Sequence, residues 1–387
     1  MKKYMRRNYL RRSGKILKDV MVKGTYDFDY DLMPMRTPPM TMKKRLNLIK
    51  SGINVFYRRP KPWSWPIHMQ VELTNYCNLR CRVCPTGTGL LERPKGNLDV
   101  DMYARFMKEV GPYLLTASLW GWGEPLLHPR FSEIVDITRR HGVIPLLSTN
   151  GQNLNNDRVI EGLLKAPPTY LIVAIDGLTR ETHAGYRRGA DLNRILEGVH
   201  RLAEQKRVRK QRFPILNMRF IPMKHNEHEM KNIRQFAVEN GFDYLTIRSL
   251  IVKEDLEAPH DKLIPKDKAL RAYDYRDRRR IRRSDFICQL AFAFPAIRVD
   301  GSVVPCDQDY NGRQTYGRVG NGVSFADIWW SEAGARVRRV IRGNREIFGA
   351  CRTCPYADQL SNAVTVDSYD LTGGLGYPST APDCRKQ

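Results

Sequence analysis

From residue 67 to residue 255 the chain repeats one pattern: a short run apolar on consecutive positions, then a stretch whose apolar residues recur at helical spacing. Strands apolar on successive residues are buried on both faces, the condition of a parallel sheet covered by helices. The expected strands are HMQVELTN, LLTASLWG, VIPLLSTN, TYLIVAID, ILNMRFIPM and DYLTIRSLIV. Between them, PRFSEIVDITRRHG is expected to be a helix with Pro129 in its first turn, Phe131, Ile134 and Val135 inward, and Gly142 as its stop. NDRVIEGLLK is a second helix. DLNRILEGVHRLAEQ is a third, capped by Asp191 and apolar at Leu192, Ile195, Leu196, Val199 and Leu202. NEHEMKNIRQFAVENG is a fourth, with Asn226 and Glu229 at capping-box spacing and Gly241 behind it. About six βα units follow, an α/β chain.

The 387 residues are ample for a buried core and for two or three domains. With 42% hydrophobic and 27% charged residues, disorder over the whole chain is excluded. No window approaches the roughly 18 apolar residues of a membrane span. The N-terminus is basic without an apolar stretch, so a signal peptide is not expected and the expected location is cytoplasmic. Lys and Arg number 65 against 41 Asp and Glu, a net charge of +24. Such an excess favours an anionic partner: nucleic acid, a lipid surface or a phosphorylated substrate. No separate nucleic-acid-binding motif is present, so no specific nucleic acid is expected.

Four stretches are expected. Residues 1–66 are a basic N-terminal extension with two apolar stripes, one of Ile16, Leu17, Val20 and Met21, the other of Leu46, Ile49, Ile53 and Phe56. Around them lie Lys2, Lys3, Arg6, Arg7, Arg11, Arg12, Lys43, Lys44, Arg45, Arg58 and Arg59, and the prolines of MPMRTPPM separate the two. Such helices either lie on an anionic membrane surface, here the inner face, or pack against their own barrel. Residues 67–255 are the βα repeat. Residues 256–284 are a polar linker ending in RDRRRIRR (276–283), which reads as a solvated or phosphate-facing helix face. Residues 285–387 have shorter strands, more glycine and five of the eight cysteines.

Eight cysteines in a long chain without a secretion signal point to metal binding or chemistry rather than a disulfide scaffold. In TNYCNLRCRVCP, Cys77, Cys81 and Cys84 stand directly after an expected strand. Three thiolates this close reach three corners of an iron–sulfur cube. A [4Fe–4S] cluster normally takes four cysteines, so three leave one iron open to an outside ligand. The alternative, a tetrahedral zinc site, usually wants four protein ligands.

Across residues 67–255 the sequence resembles the radical S-adenosylmethionine (radical SAM) enzymes. The resemblance implies a partial (β/α)6 TIM-like barrel with this cysteine loop after its first strand. It implies a [4Fe–4S] cluster on Cys77, Cys81 and Cys84 whose open iron is chelated by SAM. One electron, from a donor such as flavodoxin or ferredoxin, then yields a 5′-deoxyadenosyl radical that abstracts hydrogen from a substrate carbon. GWGEP (121–125) matches the family's glycine-rich segment, with Trp122 between the glycines. It implies cofactor contacts from Gly121, Gly123, Glu124 and Pro125, with main-chain carbonyls and Glu124 accepting from the SAM ammonium. In STNG (148–151), Ser148 and Asn150 are expected to bind ribose hydroxyls or the SAM carboxylate. In VAIDG (173–177), Asp176 is expected at the barrel mouth, and Arg187 or Arg188 of THAGYRRG to pair with the SAM carboxylate. Val83 stands where the family often has an aromatic near the adenine.

Cys288, Cys306, Cys351 and Cys354 resemble the SPASM and twitch extensions of these enzymes, a smaller α+β iron–sulfur domain. FPAIRVDGSVVPC reads as a hairpin turning at Asp300–Gly301, which folds Cys288 and Cys306 together. The four cysteines suffice for one fully ligated auxiliary [4Fe–4S] cluster, with zinc as the alternative. Leu360 stands where the full pattern continues with another cysteine, and Cys384 is either a spare thiol or a substitute ligand. A fully ligated cluster would conduct an electron rather than bind the reactant. The expected reaction is a net oxidation or bond formation on a lipid-linked or phosphorylated substrate. The alternatives are a peptide or protein maturase and a non-catalytic iron–sulfur protein. Asp176 and Asp307 are the expected catalytic groups, with Asp309 and Tyr310 as further candidates for the base.

Overall fold

The computed structural model describes residues 14, 16–252, 262–276, 279–282, 286–359 and 364–378. Cys384, the basic residues before position 14 and Leu360 lie outside them. A hairpin of β1 (Asp27–Tyr30) and β2 (Met33–Arg36) leads into α1 (Met42–Tyr57). Strands and helices then alternate: β3 (His68–Val71), α2 (Val100–Val110), β4 (Thr116–Ser118), α3 (Phe131–Arg140), β5 (Ile144–Thr149), α4 (Asp157–Lys165) and β6 (Tyr170–Ala174). After α5 (Arg180–Tyr186) and α6 (Leu192–Val208) come β7 (Ile215–Phe220), α7 (Ile233–Glu239) and β8 (Tyr244–Arg248). The last third holds the small hairpin β9 (Tyr275–Arg276) and β10 (Arg279–Arg280), then α8 (Leu290–Ala293), β11 (Ala296–Ile297), β12 (Ser302–Val304) and β13 (Gly317–Arg318). It ends with α9 (Phe325–Trp329), α10 (Glu332–Asn344), α11 (Gly349–Arg352) and β14 (Thr365–Asp370).

Strands β3 to β8 are parallel and neighbours in chain order, the six expected strands of a partial (β/α)6 barrel. The barrel stays open because each outer strand pairs away from the other. β11 adds parallel to β3, with β12 and β13 beyond it, and β14 adds antiparallel to β8. The C-terminal segment therefore continues the barrel sheet at both edges.

The strands are apolar on successive residues because both faces are covered. Outward, Leu147, Leu171, Val173, Leu216, Met218 and Leu245 share one core with helix residues such as Phe131, Ile134, Ile195 and Val199. Inward, Ile144, Leu146, Tyr170, Ile172, Ile215 and Tyr244 pack on Met33 and Met35 of the N-terminal hairpin. Tyr170 Oη donates to Pro34 O (2.9 Å) and Tyr244 Oη to Leu32 O (2.8 Å), so the hairpin is bonded into the lumen. At its turn Asp31 meets Arg219 (2.8 Å) and Arg248 (3.5 Å), on the last two strands.

The two N-terminal stripes behave differently. Val20 is buried with Met40 and Leu115, with Ile16 and Met21 packed alongside, whereas Leu17 is exposed. The stripe on α1 faces outward, and the helix buries Lys44, Asn47, Ser51 and Asn54 instead.

Three local expectations are corrected. Pro129 precedes the helix N-cap, Arg130. Asn226 and Glu229 form no capping box: Asn226 Nδ2 donates to the main-chain oxygens of Asp176 and Ile221, and Glu229 accepts from Leu178 N and Thr182 Oγ1. Long-range partners thus outcompete the local cap. The described part of RDRRRIRR is no solvated helix. It forms the β9–β10 hairpin, and Arg280 is buried 3.0 Å from Asp358 and over the Tyr273 ring.

His183 on α5 is fully buried, and its Nδ1 accepts from Asp176 N (3.2 Å). Burial, with Arg187 nearby, lowers its pKa to about 3. The unfolded chain binds this proton from about pH 6.5, the folded chain only near pH 3. The stability held by the neutral imidazole is therefore complete above pH 6.5 and is lost as pH falls toward 3. Urea melts at pH 7 and pH 5 should differ by about 2 kcal/mol from this residue, and His183→Gln should flatten that slope.

Candidate active site

The cysteine loop leaves β3 and is tied at its base. Asn75 Nδ2 donates to Pro94 O and its Oδ1 accepts from Gly96 N, both at 2.8 Å. Cys77 and Cys84 are half-buried and Cys81 is buried. Arg80 N and Arg82 N donate to Arg188 O and Tyr186 O, seating the loop on the segment after α5. Burial pushes the Cys77 thiol up to about 12, helped by Glu124, Cys81 and Cys84. Burial likewise raises Cys81, while Arg187 opposes it and Cys84 adds to it. Three cysteine sulfurs on one short loop are a soft donor set for iron.

The expected segments converge on this loop. Glycine is required in GWGEP by close approach: a Cβ on Gly123 would lie 2.2 Å from Thr74 O, and one on Gly121 2.6 Å from the Glu72 side chain. Glu124 is 2% exposed, and its oxygens accept from Thr149 Oγ1 (2.7 Å), Asn150 N (2.7 Å) and Leu126 N (3.1 Å). It thus binds GWGEP to the end of β5, with Pro125 buried beside it. Asn150 Nδ2 donates to Asn78 Oδ1 (2.8 Å) and lies 3.9 Å from Cys77 Sγ. Ser148 is half-buried on β5. Asp176 is fully buried, and its oxygens accept from Arg187 Nε (2.5 Å) and Ile221 N (2.9 Å). Arg187 Nη1 reaches to 4.0 Å from Cys81 Sγ. Burial works against the Arg187 charge, but Asp176 and Cys81 outweigh it and hold the guanidinium above its ordinary pKa. Val83 is buried with Tyr186 and Met223.

The second cysteine group lies at the β3 edge of the sheet. Cys306 follows β12, Cys351 sits in α11, and Cys288 precedes α8. β11 and β12 form the expected hairpin, with Gly301 at φ +82°. Burial raises all four thiols, Cys351 to about 12 and Cys354 to about 11. Cys306 also feels Asp307, Cys288, Cys354 and Cys351, so the four sulfurs share one neighbourhood.

The two groups are joined. Trp122 Nε1 donates to Asp307 O (2.8 Å), and its ring meets Tyr310 edge-on at 5.9 Å. Glu72, fully buried, accepts from Arg93 Nη2 (2.8 Å), Trp122 N (3.2 Å) and Val299 N (3.3 Å). Arg298 Nη2 donates to Asp307 O (2.9 Å) and Asp309 O (3.0 Å). The Asp307 carboxylate accepts from Tyr356 Oη (3.0 Å) and Gln308 Nε2 (2.8 Å). Asp309 accepts from Arg313 N and Gln314 N and shapes a turn. Glu72, Thr149, Arg298, Tyr356 and the bridging role of Trp122 were not expected from sequence. The signal for Glu72 was a carboxylate inside an otherwise buried strand.

Residues 71–237 match the family profile of the Radical SAM superfamily, and residues 288–355 that of an iron–sulfur cluster-binding domain (SPASM). The chain carries a radical SAM domain and a SPASM iron–sulfur domain. These domains imply a SAM-binding [4Fe–4S] cluster and auxiliary iron–sulfur clusters. The tungsten-containing aldehyde ferredoxin oxidoreductase cofactor-modifying protein of Pyrococcus furiosus is 24% identical over 341 residues, 78% of this chain and 90% of the relative. The AdoMet-dependent heme synthase of Methanosarcina barkeri is 33% identical over 172 residues, 44% of this chain and 46% of the relative. The crystal structure of Streptococcus suis SuiB bound to S-adenosylmethionine covers 75% of this chain and 72% of SuiB at 15% identity with a TM-score of 0.54, a likeness of fold.

Gly123→Ala should displace the cysteine loop and lower the iron bound after anaerobic reconstitution. Gly52→Ala on α1, whose added Cβ meets nothing within 4 Å, should leave iron content unchanged.

Proposed function

We propose that this radical SAM enzyme carries out a net two-electron oxidation, a dehydrogenation or bond formation, on a small anionic substrate held between its two cysteine groups. When bound, SAM and the cluster on Cys77, Cys81 and Cys84 supply a 5′-deoxyadenosyl radical, and an auxiliary cluster on Cys288, Cys306, Cys351 and Cys354 supplies a one-electron acceptor. The observation that carries this reading is the Trp122–Asp307 bond, which fixes the segment beside the first group to the residue beside Cys306.

Arg187, oriented by Asp176, offers its remaining N–H groups to the SAM carboxylate. Asp176 has both oxygens engaged, so its part is positioning. Glu124 is also committed within the protein, which leaves the main chain of 121–125 to receive the SAM ammonium. Ser148 and Asn150 line the ribose side. Asp307, next to Cys306 and within reach of Tyr356, takes the proton. The balance is one hydrogen atom to the radical, one proton to Asp307 and one electron to the acceptor.

Arg219 and Arg248 share a single carboxylate, Asp31, and a buried Arg248 nitrogen, Nε, has no hydrogen-bond partner among the described residues. Arg248 also feels the charge of Asp307, which places it toward the second cysteine group. Two neighbouring guanidiniums, one with an unbonded Nε, favour a phosphate or carboxylate on the substrate. Among the relatives, GTP 3′,8-cyclases carry a phosphorylated nucleotide in their name.

Dithionite-reduced protein with SAM should form 5′-deoxyadenosine. The Cys77/Cys81/Cys84→Ala variant should form none, and Cys351/Cys354→Ala should still form it. Phosphorylated and lipid-linked small molecules should be screened for stimulation of that rate. With a stimulating compound, Arg248→Met should raise KM about tenfold, the loss of one charge-assisted contact. Unchanged KM would remove the anion-binding role.

A further inference from the structure

Helix α1 is turned inside out. An amphipathic helix on a globular protein normally buries its apolar stripe and shows its polar one. Here Leu48, Ile49 and Val55 are half-buried, and five apolar residues are exposed: Met42 (54%), Leu46 (45%), Ile53 (39%), Phe56 (78%) and Tyr57 (59%). At 100° per residue they fall on one face of a helix about 24 Å long. Trp63, 54% exposed, follows shortly after the helix.

The orientation is locked by bonds rather than left to chance. Asn54 Nδ2 donates to Phe292 O (2.7 Å), beside Cys288. Asn47 donates to Trp65 O and Tyr113 O, and accepts from Trp65 N. Lys44 Nζ donates to His141 O (3.1 Å) and Gly142 O (2.6 Å), and burial lowers its pKa to about 8. Rotating the apolar face inward would take these partners away from the carbonyls of Trp65, Tyr113, His141, Gly142 and Phe292 and from the N–H of Trp65.

The charge around the face says what covers it. Residues 32–71 contain no Asp or Glu, and of their eight Lys and Arg, Lys44 is buried, Arg45 bonds Met40 O and Met21 O, Arg36 pairs with Asp27 and Lys61 with Glu332, which leaves Lys43, Lys50, Arg58 and Arg59. Lys43 and Lys50 are exposed along one border of the apolar face, and Arg59 lies over the Trp63 ring at 3.8 Å. A second copy docking face to face would oppose like charges. Nucleic acid would meet the positive border but gain nothing from Leu46, Ile53 and Met42, which neither stack on bases nor bind phosphate. An anionic bilayer satisfies both features: acyl chains take the aliphatic residues, headgroups take the lysines, and Trp and Tyr sit at the interface.

We propose that the outer face of α1, with Trp63, docks this protein onto an anionic lipid surface, with the helix lying in the plane of the interface. No helix among the described residues is long and apolar enough to cross a membrane, so the contact is peripheral. This inference is independent of the reaction proposed above.

The test uses the full chain and co-sedimentation with vesicles of phosphatidylcholine alone or in equal parts with phosphatidylglycerol. Wild type should bind the anionic vesicles, bind the neutral ones poorly, and dissociate as salt rises. Ile53→Asp/Phe56→Asp and, separately, Lys43→Glu/Lys50→Glu should each weaken binding about tenfold or more. These side chains are exposed, so melting temperature and iron content should match wild type and separate lost docking from lost folding. Equal binding to both vesicle types would overturn the proposal. So would wild-type binding by Ile53→Asp/Phe56→Asp, which would assign the contact to another segment. Concentration-dependent dimerisation abolished by Phe56→Asp would assign the face to a second copy and equally overturn it.

Discussion

The buried carboxylate of Glu72 is the point on which this architecture turns. It stands at the end of β3, where the cysteine loop begins, and no solvent reaches it. A charge buried in this way survives only when donors surround it. The donors come from three separate segments: Arg93 beyond the cysteine loop, Trp122 of the glycine-rich turn, and Val299 of the hairpin leading to Cys306. Arg298 adds a second guanidinium 3.9 Å away. The same carboxylate occupies the space that a side chain at position 121 would need. Removing Glu72 would release the first cysteine loop, the glycine-rich turn and the edge of the second cysteine group together.

The rest of the fold supports that junction from below. Burying both faces of a parallel sheet normally requires helices outside and side chains inside. Here part of the inner filling is a separate hairpin, with Met33 and Met35 packed among the strands and Asp31 reaching the arginines of β7 and β8. Residues 27–57 are thus an integral part of the barrel, held in place by the buried hairpin and the bonded helix.

Much of this was legible in the sequence, and the reasons for the exceptions are physical. Consecutive apolar residues mark doubly buried strands whatever covers them, so the six barrel strands could be read directly. Cysteine spacing after a strand is a local pattern and needs no tertiary information. By contrast, the periodicity of α1 reveals a stripe but not which way it points. That is decided by Asn54 bonding a carbonyl 238 residues away. The Asn226–Glu229 spacing suits a cap in isolation, but Asp176, Leu178 and Thr182 offer those side chains better partners. Trp122 looked like an interruption of a glycine pair, whereas its indole N–H spans to Asp307, 185 residues on. The arginine run of 276–283 resembled a solvated face because its acid, Asp358, comes 78 residues after Arg280.

We propose that one chain holds two iron–sulfur clusters, of which only the first binds SAM. The most direct test is anaerobic iron and sulfide analysis with EPR of the reduced protein, with and without SAM, on wild type and on the Cys77/Cys81/Cys84→Ala variant. Two clusters give about eight irons in wild type and about four in the variant, with SAM altering the wild-type spectrum alone. Zinc in place of iron, or a wild-type spectrum indifferent to SAM, would contradict this proposal.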